Sequence, residues 1–305
     1  MPRWSPVRRV ELFLSLTLLN RSGKVQELEK RKLGRTNFDA SIIGLGGEGL
    51  LRSPGKDKET YALINKALDL GINFFESARS YDCSEEYYGN ALRERRRDVF
   101  LTSKSKSRRK EGALADLQET LKNMKTDYLD LWQVHDVVDR QAMDAVFAPG
   151  GAIEAFIEAK EKGYTRFIGI GGHGDPHIIK ECLEHFDFDT MHVPVNPAEA
   201  SCKSFLEDTM PLASEKNVGV IGMKIYVRGF TSKLTFYTSM EAFFRYALSQ
   251  PIATAVISCD TMEQLEQNVY FARSFKAMDW EDQDGFVEAI APYALMYYKS
   301  QYYKE

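Results

Sequence analysis

The stretch INFFESARSYDCSEEYYGNALRERRRDVFLTSK, residues 72 to 104, holds one full cycle of a repeating pattern. INFFES (72 to 77) is a short apolar run of strand length, and EEYYGNALRE (85 to 94) spaces its apolar residues three or four apart, as one face of a helix requires. VFLTSK (99 to 104) then opens the next apolar run. Outward from this unit, strands are predicted at SIIGLGG (41 to 47), YLDLWQVH (128 to 135), RFIGIGG (166 to 172), TMHVPVN (190 to 196), VGVIGMK (218 to 224) and TAVISC (254 to 259), eight in all. Helices are predicted between and after them at 59 to 71, 112 to 125, 152 to 163, 177 to 186, 205 to 217, 240 to 250 and 262 to 275. Gly71 and Gly163 sit where a left-handed C-terminal residue is wanted, and Pro251 stops the seventh helix.

Strand followed by helix, eight times over, specifies a parallel sheet. Closing it into a single (β/α)8 TIM barrel hides both edges and accounts for one α/β domain of this length. An open doubly wound sheet is the alternative, but no G-x-G-x-x-G begins directly after the first strand ends at Gly47. The barrel is expected over 31–285, with an N-terminal extension over 1–30 and a short aromatic C-terminal tail over 286–305.

The net charge of −4 gives neither a nucleic acid nor an anionic membrane a basic face to bind, so a small molecule is the expected ligand. Cys83, Cys182, Cys202 and Cys259 form no C-x-x-C pair, which signals neither a disulfide framework nor a zinc site and points to a reducing, cytoplasmic setting. LFLSLTLL (12 to 19) is too short to span a bilayer. Arg8 and Arg9 before it suggest export as the alternative, against which stand Glu11 and the lack of a small-residue cleavage site.

In a barrel of this kind chemistry sits where strands end. The strand ends here are Glu76, Lys104, His135, His173, Asn196 and Lys224, polar or charged groups on otherwise apolar strands. Each has a structural explanation as well: Glu76 with Lys104 as a buried ion pair, Tyr81 as a packed ring, His135 as a hydrogen-bonded core residue. In GGHGDPH (171 to 177), His173, Asp175 and His177 are metal-ligand types, yet Asp175-Pro176 reads as an N-cap and first-turn proline, and no metal is assigned. His185 and His192 carry no signal beyond their helix and strand positions.

LGINFFESARSY with SEEYYGNAL, VFLTSK, YLDLWQVHD, GAIEAFIEAKEKG with RFIGI, and ISCDTMEQLEQN resemble, in order and spacing over residues 31 to 275, the aldo-keto reductase family. The chain looks like a divergent bacterial-type member. The resemblance implies a barrel that reduces an aldehyde or ketone with NADP(H) or NAD(H), with Tyr81 as the acid-base group supported by Lys104, His135 and a carboxylate. That carboxylate is Glu76, where the family pattern has aspartate. The chemistry is consistent: charge develops on the carbonyl oxygen, a phenol must deliver a proton there, and a nearby ammonium makes the phenol a better donor.

Cofactor contacts are also expected from Asn196, Gln264 and Asn268, while Gly46 reads either as tight backbone next to the cofactor or as barrel packing, and Thr261 as a helix cap, a cofactor contact or both. Gly171 and Gly172 stand where many members have Ser-Asn to hold the nicotinamide carboxamide. Met223 and Lys224 stand where an aromatic stacks on the ring, and Arg228 and Lys224 are placed to meet the pyrophosphate. Ser258, Cys259 and Gln264 stand where relatives have the Lys-Ser pair and later Arg that clamp a 2′-phosphate, so the positive charges are gone and preference between the two cofactors is open. These departures motivate a second reading, a catalytically weak nicotinamide-binding regulatory protein.

Overall fold

Eight parallel strands close into a barrel in the computed structural model, which describes residues 26–202, 204–234 and 239–302. Most of the expected N-terminal extension, with its apolar run at 12 to 19, lies outside the described residues. An antiparallel pair the sequence reading did not foresee comes first, β1 (Lys30–Lys32) and β2 (Asp39–Ser41). The barrel strands are β3 (Ile43–Gly46), β4 (Phe74–Glu76), β5 (Phe100–Ser105), β6 (Leu129–Val134), β7 (Thr165–Gly171), β8 (Thr190–Pro194), β9 (Gly219–Met223) and β10 (Thr254–Ile257). Each pairs with the next, and β10 pairs back to β3, so no edge is left open. All eight coincide with expected strands.

Helices α1 (Asp57–Asp69), α2 (Ser84–Leu92), α3 (Lys110–Asn123), α4 (Arg140–Phe147), α5 (Ala152–Glu161) and α6 (Pro176–His185) cover the first half of the barrel. They are followed by α7 (Pro197–Ala200), α8 (Phe205–Asp208), α9 (Met210–Glu215), α10 (Glu241–Ser249), α11 (Met262–Arg273) and α12 (Trp280–Tyr302). The single helix expected at 205 to 217 is divided at Thr209, because Pro211 has no N–H to continue the ladder and fits only a first turn. Helix α4, capped by Asp139 accepting from the Ala142 N–H, and the short α7 were not foreseen.

The outer core lies between strands and helices, and a smaller one fills the barrel floor with Leu33, Phe74, Phe100, Leu131 and Ile221. A third cluster packs α12 through Phe286, Ile290, Ala294 and Tyr297 against Val227, Phe230 and Phe243. Residues 286–302 of the expected tail are thus the continuation of a helix that begins at Trp280, packed over the loop after β9.

Candidate active site

A cavity of about 810 Å³ opens at the carboxyl ends of the strands. Glu76 and Lys104 end or nearly end β4 and β5 and are 3% and 2% exposed. The Lys104 Nζ contacts Glu76 Oε1 and donates to the Ser77 carbonyl at 2.8 Å, while Glu76 Oε2 accepts the Gly47 N–H at 3.1 Å. Burial draws the Lys104 ammonium down to about 7, a tendency opposed by the negative charge of Glu48.

The loop after β4 keeps following β5, with Ser77 N–H on the Thr102 carbonyl and Arg79 N–H on the Lys104 carbonyl. It then turns, the Tyr81 N–H reaching the Ala78 carbonyl at 2.9 Å. Arg79 is fixed to the buried Glu85 at 3.0 Å, and Glu85 also accepts from Ser103 and Thr120 hydroxyls at 2.7 Å each. This framing returns the Tyr81 ring over the barrel mouth, its centroid 4.9 Å from Lys104 Nζ. The His135 ring stands edge-on to it, centroids 5.9 Å apart and planes at 87°. Burial, reinforced by Glu48, raises the Tyr81 phenol well above its ordinary range, so it stays protonated. Burial, and then the Lys104 charge, push His135 down to about 2, leaving a neutral imidazole.

The backbone at His135 is clamped: Arg108 donates to the His135 carbonyl at 2.8 Å and to the Asp136 carbonyl at 2.7 Å. Asp136, at φ 63°, pairs with His173 Nε2 at 2.7 Å and Lys106 Nζ at 3.0 Å. On the opposite wall Lys224 (φ 54°), Val227 (φ 46°) and Arg228 (φ 48°) take left-handed conformations, an unusual concentration for residues with side chains. Burial lowers the Lys224 ammonium to about 8.

Of the residues expected to act in catalysis, Glu76, Tyr81, Lys104 and His135 all line this cavity, as do Gly171, Gly172, Met223, Lys224, Arg228, Ser258, Gln264 and Asn268. Gly46, Asn196, Cys259 and Thr261 are not on its wall. Gly46 is required by packing, since a Cβ there would lie 2.6 Å from Ser258 Oγ. Asn196 caps α7, accepting from the Ala198 and Glu199 N–H groups, and donates to the Lys224 carbonyl. Cys259 is buried against the Asn268 amide, and Thr261 caps α11 through the Gln264 N–H. In each case a packing or capping demand accounts for the residue.

Asp175 caps α6 through the His177 N–H, and His173 turns to Asp136. Among the described residues no group of three or more His, Cys, Asp or Glu is arranged to hold a metal ion. Sequence reasoning missed Glu48, Arg52, Lys106, Asp136 and His192 as lining residues. Only His192 left a trace: it shares strand parity with Thr190, a polar face on an otherwise apolar strand.

The aldo/keto reductase family model matches residues 42–241. An uncharacterized oxidoreductase, YqkF, of Bacillus subtilis is 27% identical over 303 residues, covering 83% of this chain and 94% of the relative. A holo-form aldo-keto reductase from Bacillus halodurans superposes with a TM-score of 0.73 at 23% identity, over 86% of this chain and 96% of the other. A Klebsiella pneumoniae aldo-keto reductase solved with NADPH superposes with a TM-score of 0.71 at 17% identity, over 87% of this chain and 95% of the other.

Proposed function

The chain belongs to the aldo/keto reductase family, and from that premise we propose that it reduces an aldehyde or ketone, with Tyr81 as proton donor and a reduced nicotinamide dinucleotide as co-substrate. The observation that carries this reading is the convergence of Tyr81, Lys104 with Glu76, and His135 on one cavity. A bound reduced nicotinamide supplies the hydride. Tyr81, held protonated, delivers its proton to the carbonyl oxygen as negative charge develops there. Lys104 stabilises the phenolate that this transfer leaves, and Glu76 fixes the ammonium in place. His135, neutral, offers a hydrogen bond to the same oxygen and orients the substrate, and Arg108 holds its backbone steady.

The residues present suit the cofactor. The cavity reaches from the reactive cluster to the first turn of α11 at Gln264, and His135 Nδ1 and His192 Nε2 are buried nitrogens with no hydrogen-bond partner among the described residues. Arg228 and Lys224 supply positive charge for the pyrophosphate. The lining residues contributed by α11 and the turn before it are Ser258, Asp260, Gln264, Gln267 and Asn268, none of them a cation, so a 2′-phosphate gains nothing from them and NADH is accepted at least as well as NADPH. The part of the C-terminal tail that lies in α12, residues 286–302, backs the loop that carries Arg228 and so shapes the pocket for a small-molecule carbonyl substrate.

The test is a carbonyl panel assayed with both reduced nicotinamides, comparing the natural protein with Tyr81→Phe. The expected result is turnover by the natural protein and a loss of about 10²-fold or more in kcat in the variant, with cofactor affinity retained. No turnover by the natural protein, or an unchanged Tyr81→Phe, refutes the reductase reading; cofactor binding without turnover would favour the regulatory one.

A further inference from the structure

Inside the barrel, one layer below Lys104 and His135, lies a polar cluster that no role described so far uses. Leu131 and Gln133 lie on the inward face of β6 and His135 follows on the same face, whereas Trp132 stacks on Phe156 outside the barrel. On β8, Met191 and Val193 belong to the outer core, which turns Thr190 inward. Between these strands β7 offers only Gly169, in register with Gln133 on one side and Thr190 on the other. A Cβ at 169 would strike the Thr190 hydroxyl and lie 2.9 Å from Gln133 Cγ, so both side chains lean into the space the glycine leaves.

Gln133 and Thr190 are fully buried, yet neither end of the Gln133 amide nor the Thr190 hydroxyl has a hydrogen-bond partner among the described residues. The same is true of His135 Nδ1, the ring nitrogen sealed from the cavity. Polar atoms buried in this way are a standing cost that a small polar guest removes. Lys104, in register with Gln133, does not enter the cluster, because its Nζ is committed to Glu76 and the Ser77 carbonyl. Gln133 and His135 stand two residues apart on one face, about 6.6 Å along the strand, a separation that one water bridges. Water is also the guest that the chemistry selects. It needs two to four polar partners, which an amide, a hydroxyl and a neutral imidazole supply, and a cluster of neutral groups offers a charged ligand no counterion.

We propose that Gln133 and Thr190 are positioning residues: they hold an ordered water that donates to His135 Nδ1 and so keeps the ring proton on Nε2, the nitrogen toward the cavity. A neutral imidazole carries one proton, so its tautomer decides whether Nε2 donates to the carbonyl oxygen or turns a lone pair on it. The consequence for turnover rests on the reading of His135 as the group that orients that oxygen; the tautomer itself does not.

Nitrogen–proton NMR of the full-length protein, labelled with nitrogen-15 histidine, reads the tautomer of each ring, and His135→Asn identifies the His135 signals by their loss. The natural protein should carry the His135 proton on Nε2. In Gln133→Met and in Thr190→Val the proton should be shared between the two nitrogens, with kcat for the carbonyl substrate about tenfold lower and cofactor affinity within about twofold. Thr190→Ser, which keeps the hydroxyl, should retain the natural tautomer and rate. Each apolar variant replaces a buried unmet polar atom by one of like size, so the fold persists, as melting temperature checks. A natural protein with the proton on Nδ1, or both apolar variants with the natural tautomer, overturns the proposal; an altered tautomer with kcat unchanged overturns the positioning role. A natural protein without turnover sinks the reductase reading alone, since the ring spectrum still decides what Gln133 and Thr190 do.

Discussion

Glu76 uses its extra methylene, relative to the aspartate its position resembles, to reach the backbone of Gly47 as well as Lys104. Gly47 is part of the fit, because a Cβ there would lie 2.8 Å from the Glu76 carbonyl oxygen and collide with the Ser84 hydroxyl. The sequence displayed the charge of Glu76 but not its second partner, which arrives from β3 by register alone. His135 illustrates a related point, since its type was legible and its protonation was not. Burial lowers it from 6.5 to about 2. As pH falls below 6.5 the unfolded chain takes up a proton that the native site refuses, so stability is lost with acid, at about 1.4 kcal/mol per pH unit. Melting temperatures between about pH 6 and pH 5 should fall less steeply in His135→Asn than in the natural protein.

Helix α12 and the loop after β9 form a coupled pair of elements. Strain in the left-handed Lys224, Val227 and Arg228 persists because the loop is pinned from behind by Tyr297, which is fully buried and packs edge-on to Phe230 at 5.7 Å. Tyr298 adds a tie from its hydroxyl to the Gly174 carbonyl at 2.9 Å, joining α12 to the loop after β7. Tyr297→Ala should cost about 3–5 kcal/mol in urea denaturation, by opening a cavity under the loop. Tyr297→Phe, which keeps the ring, should cost only about 1 kcal/mol. The aromatic content of this segment was visible in sequence, yet its helical course was not, because Pro292 and the crowded tyrosines obscure a helical period. Asn196 shows the same limit: a polar residue at a strand end looked like a ligand, and its side chain is consumed by the N-terminus of α7.

At the scale of the whole molecule, closure of the barrel places all the strand ends around one mouth and leaves the opposite end to be sealed. The β1–β2 pair seals it, inserting Leu33 among Phe74, Phe100, Leu131 and Ile221, and Gly34 at φ 49° passes so close to Gly219 that a Cβ would strike its backbone. Leu33→Ala should therefore lower unfolding free energy by about 2–5 kcal/mol, read as a reduced denaturant midpoint, with kcat little changed because the seal is remote from the mouth. The amino-acid sequence by itself determined the number and order of the strands, their helical crossovers and the identities of Tyr81, Lys104, His135 and Glu76. The strands and crossovers are written in local periodicity, Glu76, Lys104 and His135 in residue types at the ends of apolar runs, and Tyr81 in the motif that resembles the family. Only the tertiary structure decided which polar residues face the cavity and which cap helices, how the floor is sealed, and that His192 stands beside two glycines with a nitrogen unmet. Those outcomes depend on register between strands far apart in the chain and on competition for each side chain by neighbouring backbone, neither of which local pattern encodes.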